Sequence, residues 1–339
     1  MQKLATAIGL LAVLSQWLPA QPFTAALVAN QPLEVFLSGV ASQPSGPLNT
    51  SVSLLRTVNA GGVTLSANLD CVPPTAANPA CSITTQFDTG FLSASLVPAY
   101  FRADTTLWIS GPSGRWGSIE VELLASDGPW PTVDVGDDGT NEAAPGQFYG
   151  ALSSAYQTRI WSIPVQLTSA PLPVRIVFPT TWRISTFLQR LDVRFVPWSA
   201  SAADLGTGCP ENHTGWVLGS NADFPYALSV RPGSGGAAAQ LHARGHGPLQ
   251  AFVVASQPAR LPIGTIPFGI GCDDLLTSVI TTAAGVQVSP FQDHEWTLDV
   301  PPLPPGLTFY LQHVSLSPVF GFHAPQGYFG VSNAVRYQT

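Results

Sequence analysis

The sequence predicts an all-β chain that folds as two tandem antiparallel β-sandwich domains of the jelly-roll-like kind. Three observations lead to this prediction: apolar and polar residues alternate over short runs, turn-forming residues separate those runs, and convincing amphipathic helices are missing. The alternation is clearest at residues 119–123, 191–195 and 295–300 and weaker at 226–231. Successive strand side chains point to opposite faces, so each run predicts a strand with one buried and one solvated face, as antiparallel sheets commonly have.

Glycine and proline mark the turns between the predicted strands. The clearest signals are Gly61-Gly62, Asp137-Asp138-Gly139, Pro232-Gly233 and Pro305-Gly306. Hydrophobic residues make up 45% of the chain, which is enough for a core, so the 31 glycines and 32 prolines indicate turns rather than disorder. The best helical candidates, at residues 151–158 and 272–280, are short.

Residues 1–20 have the pattern of a signal peptide. Lys3 provides a positive start, residues 4–14 form an uncharged apolar run, and Ala20 precedes the expected cleavage site. A buried N-terminal helix is the alternative. The run is shorter than the ~20 residues that cross a bilayer, and no later stretch of the sequence is long and apolar enough. The sequence therefore predicts a secreted protein, extracellular or at the cell surface with the periplasm as the alternative, and no membrane span in the mature chain.

The four cysteines agree with export. They fall into two local sets, Cys71 with Cys81 and Cys209 with Cys272, and the Cys-x2-Cys spacing typical of metal sites does not occur. Because oxidising compartments favour disulfides, we expect the bridges Cys71–Cys81 and Cys209–Cys272. Four cysteines allow three connectivities, and the spacing leaves the other two open.

Charged residues are scarce and mainly acidic. They make up 10% of the chain, with 13 Lys and Arg against 20 Asp and Glu, and Lys3 is the only lysine. Nucleic-acid binding depends on Lys and Arg side chains that neutralise phosphates. The composition therefore argues against a nucleic-acid partner.

A small, polar, turn-prone segment at residues 199–207 predicts a domain boundary. It follows a strong predicted strand and precedes Gly208-Cys209-Pro210. We therefore expect a first domain at residues 21–199 and a second at residues 204–339.

The second domain carries a set of landmarks. In chain order they are Gly208-Cys209-Pro210, Gly271-Cys272, a proline-rich lead-in at 300–304, Gln312, and Ser332-Asn333-Ala334. On these landmarks, residues 205–339 resemble a C-terminal β-domain that recurs in uncharacterised secreted proteins of planctomycete-type bacteria. The resemblance implies secretion and a β-sandwich with a Cys209–Cys272 bridge, and it carries over no catalytic residues. Residues 21–199 resemble no family that we can name.

The densest acidic cluster is a candidate calcium site. Calcium takes roughly six to eight oxygen ligands, and a bent-back loop would gather Asp134, Asp138 and Glu142 around one ion. The EF-hand pattern fails, because Pro145 stands where the bidentate Glu belongs and no flanking helices are predicted. The alternative is an Asp-Gly turn with solvated carboxylates. No cofactor other than calcium is predicted.

Tryptophans are the candidate ligand-binding residues. Trp296 alternates with apolar residues and is expected in the core, whereas Trp116 and Trp130 flank a strand within loop-like sequence. Exposed rings at such positions stack on the apolar face of a pyranose or anchor a protein partner. The partner is then an extracellular polysaccharide or a cell-surface protein. The alternative is that these rings cap the ends of the sandwich.

No catalytic residues are assigned, because no catalytic motif rises above background. A Gly-x-Ser-x-Gly elbow is missing, Glu120 and Glu122 have a spacing that any Glu-x-Glu strand shows, and His242 with His246 makes too few ligands for zinc. The leading hypothesis is a non-enzymatic structural or adhesive protein outside the cell. The alternatives are a carbohydrate-binding module that uses the loop tryptophans and a secreted hydrolase whose active site is dispersed in sequence.

Overall fold

The architecture is all-β, as predicted. A computed structural model describes residues 23–37, 40–41, 53–60, 63–75, 78–89, 99–125, 132–139, 141, 157–177, 188–206, 214–217, 220–223, 227–246, 249–262, 269–271, 275–286, 293–317 and 328–339. Within these ranges the chain forms strands and turns and no helix. The packing of the sheets into two sandwiches stays a prediction.

The first part of the chain forms two sheets. Its strands are β1 (Thr24–Leu37), β2 (Val40–Ala41), β3 (Ser53–Ala60), β4 (Val63–Thr75), β5 (Asn78–Thr89), β6 (Ala99–Ser110), β7 (Trp116–Ala125), β8 (Thr132–Val135), β9 (Gln157–Gln166), β10 (Leu172–Val177) and β11 (Leu188–Pro197). Sheet A has the order β2-β1-β6-β10-β8, and sheet B has the order β3-β4-β5-β11-β7-β9. The strand pairs in both sheets are antiparallel.

The second part begins at residue 202. Its strands are β12 (Ala202–Asp204), β13 (Thr214–Val217), β14 (Ser220–Asp223), β15 (Ala227–Pro232), β16 (Ala239–His246), β17 (Leu249–Ala255), β18 (Arg260–Leu261), β19 (Gly269–Gly271), β20 (Leu275–Leu276), β21 (Val279–Val286), β22 (Asp293–Val300), β23 (Thr308–Ser317), β24 (Tyr328–Val331) and β25 (Val335–Gln338). Sheet C contains β12-β25-β23-β17-β21, with β24 beside β23 and β19 parallel to β24. Strands β13 and β14 form the two-stranded sheet D. Sheet E has the order β15-β16-β22, and β18 and β20 form the two-stranded sheet F.

The alternating runs bury their apolar faces as predicted. On β7 and β11 the side chains of Ile119, Val121, Leu191, Val193 and Phe195 are buried, each at 1% exposure or less. On β22 the apolar residues of the run pack against a buried cluster, and the polar residues between them are exposed. Burial of these aliphatic and aromatic side chains is the main favourable contribution to the fold.

The helical candidates contain no helix wherever the structure describes them. Residues 157–158 belong to β9, residues 275–276 and 279–280 belong to β20 and β21, and residues 277–278 form the bend between those two strands. The other residues of these two segments lie outside the described ranges. Short apolar runs fit a helix and a strand equally well by pattern, so pairing with neighbouring strands decides the outcome. The described residues also contain no helix long and apolar enough to cross a membrane.

The segment after β11 ties sheet B to the second part of the chain. Trp198 is fully buried and belongs to an apolar cluster with Leu228, Val230 and Leu241. Its indole Nε1 donates to Ser118 Oγ on β7 at 2.8 Å. The next backbone amide, of residue 199, donates to the carbonyl of Val230 at 2.7 Å, and β12 then pairs with β25. The predicted boundary segment is therefore hydrogen-bonded into the second part of the chain.

Candidate functional site

Five charged or ionisable side chains meet where sheet B faces sheet E. We call them the charged cluster: Glu120 on β7, Arg194 on β11, Arg231 on β15, His242 on β16 and Glu295 on β22. The Glu120 carboxylate accepts hydrogen bonds from Arg194 Nε at 2.8 Å and from Arg231 Nη2. Arg231 Nη2 also contacts His242 Nδ1 at 2.9 Å, and His242 Nε2 bonds Glu295 Oε1. The chain of contacts therefore links two strands of sheet B to all three strands of sheet E.

The contacts of His242 fix its tautomer. A guanidinium only donates hydrogen bonds, so the Nδ1 atom of His242 accepts from Arg231. The Nε2 atom then carries the proton and donates it to the Glu295 carboxylate. His242 is 2% exposed. In this tautomer His242 links the guanidinium of Arg231 to the carboxylate of Glu295 through its two ring nitrogens.

The burial of Glu120 corrects the sequence interpretation of β7. The alternation placed Glu120 and Glu122 together on a solvated face, yet Glu120 is only 2% exposed whereas Glu122 is half-buried. The face is covered because Arg231, 111 residues later, reaches across from sheet E. Alternation correctly separates the two faces of a strand but does not say what lies against the polar one.

Trp116, a predicted ligand-binding residue, is the first residue of β7 rather than part of a loop. Its side chain is half-buried and packs against the apolar cluster around Trp198. The rings of Trp116 and Trp198 are stacked, with centroids 5.9 Å apart and planes at 24°. One face of the Trp116 ring system is therefore occupied within the protein. Trp130, the second predicted residue, lies outside the described residues.

The acidic loop after β8 is organised by Asp134. Its carboxylate accepts the backbone N–H of Asp138 at 3.2 Å and that of Gly139 at 2.9 Å. The turn needs left-handed backbone at Gly136, where φ is 112°, and at Asp137, where φ is 52°. Both oxygens of Asp134 thus hold the turn closed, and its side chain is buried.

Calcium binding at this loop stays a proposal. Asp138 is exposed and four residues from Asp134, while Glu142, the third proposed ligand, lies outside the described residues. Within the described part of the chain, three or more His, Cys, Asp or Glu side chains do not come together in a group suited to a metal ion.

We expect Asp134→Ala to lower the melting temperature equally in EGTA and in millimolar calcium. The substitution leaves two backbone N–H groups without their acceptor, which costs about 1–3 kcal/mol. Differential scanning calorimetry measures the effect, with Asp138→Ala as the control. An unchanged melting temperature in EGTA would contradict the turn-holding role. A calcium-dependent rise in the wild type that Asp138→Ala removes would establish an ion site instead.

Two of the four predicted disulfide residues, Cys71 and Cys81, lie in described strands. The register of β4 and β5 sets Cys71 directly opposite Cys81. Cys209 and Cys272 lie outside the described residues.

A second set of buried polar side chains lies in and beside sheet C and includes two landmarks of the second domain, Gln312 and Ser332-Asn333-Ala334. Gln312 Oε1 accepts from the backbone N–H of Leu276 at 2.8 Å, and its Nε2 donates to the carbonyl of Ser332 at 2.9 Å. Asn333 Nδ2 donates to Asp204 Oδ1 at 2.7 Å. These amides satisfy buried backbone groups between strands, so they have a structural role.

His313 is the most strongly buried ionisable group of sheet C. Its Nε2 lies 3.0 Å from Gln250 Oε1, and its ring packs against Phe252 and Trp296. Loss of hydration on burial lowers the pKa of His313 to about 3. The ring is therefore neutral at physiological pH.

The outer face of sheet A carries an exposed tryptophan that sequence reasoning did not select. Trp108 on β6 is 37% exposed, and its register partners are Ala26 and Pro173. Arg175 lies on the same face and makes a two-bond contact with Asp104, Nε to Oδ1 at 3.0 Å and Nη2 to Oδ2 at 2.7 Å. These bonds raise the pKa of Arg175 above its usual value. The face thus combines an aromatic surface with a fixed cation–carboxylate pair.

Comparison with known proteins identifies no relative of this chain. No protein-family model, curated protein or solved structure matches the chain.

Proposed function

We propose that the protein is a secreted, non-enzymatic structural or adhesive protein that works outside the cell or at its surface. The observation that carries the proposal is the burial of Glu120 and His242, the inner members of the charged cluster, between sheets B and E, while Glu295 at its end is exposed. Glu120 and His242 are almost inaccessible to a solute, and their bonds join strands that are distant in the chain. Charges used in this way hold two sheets in a fixed relation, which suits a load-bearing or adhesive protein.

The hydrolase alternative is less well supported by the same residues. A dispersed active site requires ionisable side chains that share an open cleft. Glu120, His242 and His313, three ionisable side chains that the structure describes, are enclosed by protein. We therefore favour a binding or scaffolding role over catalysis.

The backbone register supports the oxidised, extracellular state. Directly opposed residues of antiparallel strands have Cα atoms about 4.5–5.5 Å apart, and disulfides span Cα distances of about 4.4–6.8 Å. Cys71 and Cys81 are opposed in this way. A Cys71–Cys81 bridge is therefore part of the proposal, together with the Cys209–Cys272 bridge that the resemblance implies.

Export is the first part of the proposal to test. We expect wild-type protein in the medium or on the cell surface with Gln21 at its N-terminus, because cleavage follows Ala20. The variant Leu11→Arg interrupts the apolar run and is expected to remain inside the cell with Met1 or Gln2 at its N-terminus. Cell fractionation with N-terminal mass spectrometry measures both. Full-length wild-type protein in the cytoplasm would contradict export.

Attachment tests the adhesive part. Source cells that lack the protein are expected to attach less to surfaces or to each other, and wild-type protein is expected to restore attachment. The Leu11→Arg variant serves as the matched control, because its residues 21–339 are identical to those of the wild type but it is not expected to be exported. Equal restoration by both variants, or undiminished attachment without the protein, would argue against an adhesive role.

A further inference from the structure

The outer face of sheet A presents a flat strip of side chains around Trp108. Trp108 is the most exposed of the tryptophans whose side chains the structure describes. Its neighbours on β6, Leu107 and Ile109, are fully buried on the opposite face, so the register sets Trp108 outward. Pro173 on β10 is its direct cross-strand partner. Val28 on β1, 44% exposed, lies one row away and extends the apolar strip across a third strand.

Hydrogen-bonding groups border this strip. Arg175 is opposite Thr106, two residues from Trp108 on the same face, which sets it on a diagonal of about 7–8 Å from the tryptophan. Asp104 and Asp137 take three of the five N–H donors of Arg175, and the side chain is 40% exposed. The paired carboxylate holds the guanidinium fork in one orientation, so its remaining edge is pre-organised for a ligand.

The local charge selects among ligands. Among the side chains that the structure describes, four aspartates, Asp104, Asp134, Asp137 and Asp138, lie on this face or in the loop beside it, together with the guanidinium of Arg175. The net charge of these described groups is negative, so an acidic ligand is repelled. An uncharged ligand is not.

We propose that this face, the Trp108 patch (Val28, Trp108, Pro173, Arg175 and Asp104), binds a polysaccharide of uncharged pyranoses. A pyranose ring has a flat apolar face of C–H groups that packs on an aromatic ring, and hydroxyl groups at its rim that both donate and accept hydrogen bonds. Trp108 meets the first requirement, and the N–H groups of Arg175 that Asp104 and Asp137 leave open offer donors for the second, while the buried Asp104 carboxylate holds the guanidinium in place. Val28, Trp108 and Pro173 lie on three adjacent strands, so the apolar strip is three strands wide and gives a polymer more than one point of contact.

This proposal deepens the adhesive function proposed above and rests on it, yet its test uses purified protein and does not depend on export. The mature chain, residues 21–339, is incubated with microcrystalline cellulose, insoluble chitin, insoluble mannan and alginate beads, and the bound fraction is measured. We expect retention on at least one of the three uncharged polymers and little on alginate, whose carboxylates the aspartates repel. If the purified protein binds a polymer but source cells attach equally well with and without it, the Trp108 patch binds polysaccharide and the adhesive role is wrong.

Matched variants locate the binding. Trp108→Ala is expected to lower the affinity roughly tenfold or more, as truncation of an aromatic anchor commonly does, whereas Trp108→Phe retains part of it. Ile280→Ala removes an apolar side chain that is more accessible, 55% exposed on β21 against 37% for Trp108, and is expected to bind as the wild type does. Circular dichroism checks that all three variants keep the fold, and a melting curve checks that each is folded at the temperature of the binding assay, since Trp108→Ala also removes the packing of a ring that is only 37% exposed.

Three results would overturn the proposal. One is no retention on any uncharged polymer, and another is retention that Trp108→Ala leaves intact. The third is concentration-dependent self-association, seen by sedimentation and lost in Trp108→Ala, without polymer binding. That last result would assign the patch to contact with a second copy of the chain.

Discussion

Replacing Glu120 by alanine is expected to lower the free energy of unfolding by about 3 kcal/mol, the low end of the cost of breaking a buried ion pair, because it removes the buried carboxylate that the partly exposed guanidiniums of Arg194 and Arg231 share. The carboxylate is 2% exposed, so water does not replace it readily. Urea denaturation, followed by intrinsic tryptophan fluorescence, measures the change as a lower midpoint.

Glu122→Ala is the matched control for this prediction. It makes the same chemical change two residues further along the same face of β7, but at a half-buried position opposite Asp192, another acidic residue. Removing one of two opposed like charges is expected to change stability by less than about 1 kcal/mol. Equal losses in the two variants would show that the strand, rather than the charged cluster, responds to the loss of a glutamate.

Acid is expected to destabilise the protein through His313. Burial lowers its folded-state pKa to about 3, whereas an unfolded histidine has a pKa of about 6.5. The unfolded chain therefore binds this proton below about pH 6.5 and the folded chain does not until about pH 3. Stability from His313 is complete above about pH 6.5 and falls by about 1.4 kcal/mol per pH unit as the pH decreases towards 3.

The test is urea denaturation between pH 4 and pH 7 on wild type and His313→Gln. The variant keeps a neutral hydrogen-bonding group in sheet C. Its unfolding free energy is expected to depend on pH less steeply than that of the wild type, by about 1.4 kcal/mol per pH unit below about pH 6.5. NMR of the His313 ring checks the same point directly, with no titration expected between pH 4 and pH 7. A ring that titrates near pH 6.5 in the folded protein would refute the prediction.

The all-β fold follows from local sequence because alternation and turns are local properties. The apolar residues of β7 and β11, such as Val121 and Val193, are buried as the period of two predicts. Gly136, Asp137 and Gly139 in the loop after β8 adopt left-handed conformations that the Asp-Gly signal favours. In these elements neighbouring residues carry enough information to fix the result.

The candidate sites depend on residues far apart in the chain. Glu120 meets Arg231 only because sheet B packs on sheet E, a relation that no pattern within β7 encodes. Similarly, the buried amide of Gln312 is satisfied by the backbone of Leu276 and of Ser332, which lie far from it in the sequence. Polar residues in strands look alike in sequence whether they face water or another sheet.

Trp108 was missed for a different reason, since a signal for it was present. Thr105, Leu107 and Ile109 alternate and are all buried, which sets Trp108 on the other face of β6. Tryptophan is itself apolar, so the run Leu107-Trp108-Ile109 is continuous in hydrophobicity and hides the alternation. The loop-like sequence around Trp116 predicts an exposed ring there, whereas that ring stacks on Trp198.

The coupling energy between Glu120 and Arg231 tests most directly whether the charged cluster joins sheet B to sheet E. It is obtained from the unfolding free energies of the wild type, Glu120→Ala, Arg231→Ala and the double variant. We predict that the double variant loses at least about 1 kcal/mol less than the sum of the single variants, because each single substitution already breaks the shared contact. Losses that add within about 0.5 kcal/mol would mean that the two side chains act independently and that the charged cluster does not hold the sheets together.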